Sequence, residues 1–160
     1  MKTILFLVFL FYTNTSNAVT KPDQLLPDGI DKARVTNPYT GESGCVRKGT
    51  IASAISNIHH LNQLLIDKEK LDINHITIIK TVKEIQKHIN ALNYTGLFNV
   101  ITPEELIKDH SQPGKVIMGI LYFKTFPEKM DNKIKIEVDS ILKDKKYFGI
   151  FSCKELQART

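Results

Sequence analysis

The chain has 160 residues, 42% of them hydrophobic, and a formal charge of +5 from 22 Lys and Arg against 17 Asp and Glu. That length suits one domain with a genuine core. The basic excess is interleaved with acids, as on a solvated surface, which argues against a nucleic-acid footprint with its one-sided basic patch.

Lys2 precedes the apolar run "ILFLVFLFY" at residues 4–12 and the stretch "TNTSNA", where Ser16 and Ala18 stand in a small-x-small arrangement. This reads as a signal peptide cleaved after Ala18, because the run is far shorter than the roughly 20 apolar residues a spanning helix needs. The alternative is an uncleaved anchor. The mature chain is expected to be exported, secreted or periplasmic, with no transmembrane segment. Its two cysteines, Cys45 and Cys153, then meet an oxidising environment and are expected to form a disulfide; they lack the CxxC spacing of a redox pair. In the chain-entropy model a bridge closing so long a loop stabilises by roughly 4 to 5 kcal/mol.

Residues 19–49 contain Pro22, Pro27 and Pro38 and four of the eight glycines, with no sustained period of 2 or 3.6. They are expected to form an irregular arm, followed by a helical domain over residues 50–160. There Ile51, Ile55, Ile58, Leu61 and Leu65 mark one stripe of a helix ending near Asp67. Ile78, Val82, Ile85, Ile89 and Leu92 mark a second helix, with Asn74 as a plausible N-cap. "TPEEL" at residues 102–106 carries a capping box, Thr102 with Glu105, and Pro103 at the first helical position. Pro113 and Pro127 then frame an apolar stretch, either buried helix or buried strand, with helix favoured. In "DNKIKIEVDSILKDK" the alternation of Ile134, Ile136 and Val138 suggests a strand, but Ile134, Val138, Ile141 and Leu142 fit a helix over a longer window, capped by Asp131 or Asn132.

"YTGLF" at residues 94–98 and "YFGIF" at residues 147–151 share a pattern, with apolar residues seven and eleven positions before each glycine. Both glycines are expected to stop a helix, with Leu97 and Ile150 packing back on its last turn. The pair is either a helix-stop-helix unit used twice or a coincidence.

Chemistry is less legible. "GESGCVRKGT" at residues 41–50 places Arg47 and Lys48 beside a helix start with Thr50, a candidate anion site for phosphate or carboxylate. Gly44 and Gly49 have P-loop separation, but the lysine required after the second glycine is replaced by Thr50. Ser43 fails the GxSxG pattern at Cys45. Adjacent His59 and His60 diverge on a helix; Glu84 and His88 have chelating spacing, yet two ligands do not make a metal site. Tyr122, Phe126, Tyr147 and Phe148 belong to an aromatic-rich last quarter that is either core or a binding patch. Asn93 begins a glycosylation sequon, "NYT".

The expected fold is a single all-α domain of about five helices after the irregular arm, with Cys45 bridged to Cys153. Without a complete catalytic constellation, metal spacing or nucleotide loop in the sequence, the reading is an exported non-enzymatic interaction module with a protein partner and no cofactor. The alternatives are a carrier of a small apolar or anionic ligand and, last, a hydrolase whose site only the fold assembles.

Overall fold

The computed structural model describes residues 32–66 and 71–152, with the isolated positions 19 and 21, and of residues 71–74 the backbone alone. The leader, most of the early arm and Cys153 lie outside the described residues, so the expected leader and disulfide do as well; Cys45 is exposed. No helix among the described residues is long and apolar enough to cross a membrane.

The structure is mostly helical, but the arm is not irregular throughout. Strands β1 (Lys32–Thr36) and β2 (Ser43–Arg47) pair antiparallel, from Lys32 opposite Arg47 to Thr36 opposite Ser43. Only Val46 of these residues is fully buried, so no hydrophobic face imposes a period of 2 on the sequence. The hairpin is held from its loop instead. Asn37, which has no solvent exposure, accepts at Oδ1 from the backbone N–H of Tyr39 (2.9 Å) and Thr40 (3.3 Å). Its Nδ2 donates to the Asn93 carbonyl (2.7 Å) and Asn99 Oδ1 (3.0 Å). The side chain is thus satisfied at both ends, as a buried amide must be. Asn93 in turn donates from Nδ2 to Glu42 Oε2 at 2.8 Å, so the sequon amide is engaged inside the fold. The Tyr94 ring lies directly over Gly44, where any Cβ would collide with it.

Among the described residues, seven α-helices follow. They are α1 (Thr50–Ile66), α2 (Leu71–Tyr94), the single turn α3 (Leu97–Val100), α4 (Pro103–Lys108), α5 (Pro113–Thr125), α6 (Asn132–Ile141) and α7 (Lys145–Phe151), with a 3-10 turn at Pro127–Lys129. Helix α2 starts one turn before the expected cap, leaving Asn74 inside it. The capping box at α4 forms in both directions, Glu105 N–H to Thr102 Oγ1 and Thr102 N–H to Glu105 Oε2. Asp131 caps α6 by accepting from Ile134 N–H at 2.7 Å. Ile136, which a strand reading would bury, is exposed.

The two aromatic-glycine motifs part company. Gly96 has φ 76°, the left-handed conformation that ends a helix with least strain at glycine. Gly149 lies inside α7 with negative φ and open space around it. The second motif therefore continues a helix; α6 already ends at Ile141, and Asp144 takes the N-cap role for α7, accepting from Lys146 N–H. The shared pattern does not mark a shared helix stop.

Helix α5 is the centre of the core. Val116, Ile117, Ile120, Leu121 and Phe123 are almost completely buried, and apolar burial around its whole circumference is the signature of an interior helix. Helices α1, α2 and α4 surround it. Gly114 lets α1 approach, since a Cβ there would collide with the Ile58 carbonyl oxygen. The buried face of α1 differs from its apolar stripe. Leu61 and Leu65 are inside as expected, but in the first half Thr50, Ser53, Ala54 and Asn57 are buried while Ile51 and Ile55 face outward.

Candidate binding groove

The outward turn of Ile55 places it at the edge of an apolar groove. The groove, of about 250 Å³, opens between α1, α3 and the α4–α5 pair. Ala54, Ile58, Leu97, Phe98, Leu106 and Met118 make its apolar lining, and Ile55 and Ile101 stand at its edge, 59% and 45% exposed. Helix α3 reaches this position because Gly96 ends α2 and Asn37 holds Asn99, so hairpin docking and groove shape are coupled.

The polar lining comes from His59, Asn62, Gln112 and Lys115, and hydrogen bonds gather most of it at one end. Asn62 Oδ1 accepts from Gly114 N–H at 2.7 Å and its Nδ2 donates to Gln112 Oε1 at 3.4 Å. Lys115 Nζ lies 2.9 Å from Asp109 Oδ2, an acid outside the lining. Ser111, donating to Asp109 Oδ1 at 2.6 Å, and then Lys115 hold that carboxyl below its usual range. His59 pairs with Gln63 Nε2 at 3.0 Å on the exposed side of α1. The lining contains a cation and no carboxylate.

The candidates named from the sequence lie elsewhere. Lys48 is exposed, Arg47 is half-buried and engaged, and Thr50 is buried at 1% exposure with no hydrogen-bond partner at Oγ1. The three do not present a common accessible face. Ser43 bonds Thr36 across the hairpin at 2.8 Å. The four aromatics do not form one surface either. Tyr122 is buried against Phe98 (4.6 Å between centroids) and Phe126 (4.9 Å), Tyr147 is buried, and only Phe148 is strongly exposed. Burial, followed by the nearby charge of Asp144, pushes the Tyr147 hydroxyl up to about 12.

Glu84 meets His88 Nε2 at 3.2 Å and Lys87 Nζ at 2.9 Å. Burial raises its pKa, but those two hydrogen bonds together with the charges of Lys87 and His88 outweigh burial and hold the carboxyl below its ordinary value. No cluster of three or more metal-ligating side chains occurs among the described residues. His60, beside the groove residue His59, is buried with Nε2 unpartnered; burial first, and the His59 charge second, lower its pKa. The groove residues carried little sequence signal. Ile55 and Ile58 fitted a core stripe, and "GLFNVI" after α2 has no period from which a one-turn helix could be read.

No protein-family model, no curated protein and no solved structure matches this chain.

Proposed function

We propose that this protein is an exported, non-enzymatic binding module that recognises a polypeptide partner through the groove between α1, α3 and α5. The observation that carries this reading is the pair Ile55 and Ile101, exposed at the edge of an already apolar groove. Large apolar side chains bordering a concave apolar surface favour a partner that covers both. A photo-crosslinking residue placed at Ile55, in protein exported and purified without reduction and mixed with extract of its source, tests this. A stoichiometric protein adduct is expected, lost with Ile101→Asp and kept with Phe148→Asp. An adduct that survives Ile101→Asp would place recognition elsewhere.

A second reading, a carrier of a small ligand, is supported by a different observation: the polar lining gathers at one end around Asn62, Gln112 and Lys115. Small-ligand sites combine apolar walls with a few orienting polar groups in this way.

A further inference from the structure

We propose that the groove binds a medium-chain carboxylate, its hydrocarbon chain along Leu97, Phe98 and Met118 and its head group at Lys115. This inference rests on the carrier reading of the same groove. Three features select the ligand. The first is sign: Lys115 is the one lysine or arginine in the lining, and its partner Asp109 lies outside it. An ammonium keeps donor capacity beyond a single carboxylate contact, so a ligand acid can share Lys115 with Asp109.

The second is the segregation of polarity. Asn62 is bonded to Gln112 and to the N–H of Gly114, the residue before Lys115, so these groups occupy the α5 N-terminal end of the groove. Ala54 and Ile55 lie on α1 about two turns back from Asn62. An amphipathic molecule with one polar end fits this division, and the positive end of the α5 dipole favours an anionic one. The third is size. The groove's 250 Å³ corresponds to about eight water-sized volumes, enough to cover most of a chain of about ten carbons. A long-chain lipid would leave most of its length exposed.

The experiment is NMR titration of the uniformly 15N-labelled mature chain at pH 7 with decanoate, 1-decanol and decyltrimethylammonium, below their micelle-forming concentrations. Decanoate is expected to shift the amides of Leu97, Phe98, Ile101 and Lys115 and to bind more tightly than either other probe. Lys115→Gln should weaken decanoate about tenfold, the loss expected for one charge-assisted hydrogen bond, and leave decanol unchanged. Asp109→Asn should strengthen decanoate by releasing Lys115. Equal binding of decanol, with Lys115→Gln silent, would overturn the carboxylate while leaving the carrier reading in place. Tighter binding of the cationic probe would also overturn it. If no probe moves the groove amides, the carrier reading falls together with the inference.

Discussion

Two buried side chains on α1 show how polar groups set the stability of this fold. Thr50 keeps a hydroxyl inside without a hydrogen-bond partner, and a buried unsatisfied group costs more than it returns. Thr50→Val, close in shape, is expected to stabilise the protein by about 1 kcal/mol, read as a higher urea midpoint with unchanged slope; a lower midpoint would mean the hydroxyl has a partner. His60 gives a pH dependence. Its pKa in the fold is below the reference value of 6.5, so the unfolded chain takes up the proton first as pH falls. Stability is therefore full above about pH 6.5 and is lost progressively below it. The carboxyls of Glu84, Glu105 and Asp109 are also depressed, but from reference values of 4.5 or below, and act in a more acidic window. Thermal unfolding from pH 8 to 5 should show a falling midpoint in the lower half of that range, flattened by His60→Gln. A variant profile parallel to the wild type would assign the effect to another group.

At the scale of elements, the caps at Thr102 and Asp131 and the stop at Gly96 transferred, the cap at Asn74 and the stop at Gly149 did not, and periodicity transferred in part. Thr102, Pro103 and Asp131 act over a turn of backbone, so their chemistry is local and legible. Gly149 and Gly96 have similar sequence surroundings and opposite roles. Gly149→Ala adds a Cβ into open space in a helix interior and is expected to stabilise by about 0.5 to 1 kcal/mol. Gly96→Ala puts a Cβ on a residue at φ 76° and close to Pro38 and Tyr39, costing about 1 to 2 kcal/mol. Denaturant midpoints moving in opposite directions would establish the difference; a shared direction would contradict it. On α1 the apolar stripe named the buried face correctly at Leu61 and Leu65 and wrongly at Ile51 and Ile55. In the first half Ser53 and Asn57 engage partners, which lowers the cost of burying that polar face.

Across the whole molecule the hairpin, α2 and α3 are joined through Asn37. Removing its amide leaves the Asn93 carbonyl and the Asn99 side chain without that donor. Asn37→Ala is expected to destabilise by about 3 kcal/mol, at the upper end for buried polar groups left unpaired. Hydrogen exchange should localise the effect, with the Ala33 and Val46 amides losing protection and the amides of α5 keeping theirs. Uniform loss would mean that the hairpin and helical core unfold as one unit. Because α3 contributes Leu97 and Phe98 to the groove, the same variant should also weaken any groove ligand.

What the amino-acid sequence determined by itself was local: helical periods in α2 and α6, the caps at Thr102 and Asp131, and the stop at Gly96. These depend on residues within about a turn of one another, so their physics is written in adjacent positions. The β-hairpin, the outward turn of Ile55 and the groove were decided only by tertiary structure. Each depends on groups distant in the chain, Asn37 with Asn93 and Asn99, Gly44 with Tyr94, Asn62 with Gly114. No spacing rule within one segment encodes which distant backbone will satisfy a buried amide, and that satisfaction fixes which face of each element turns inward.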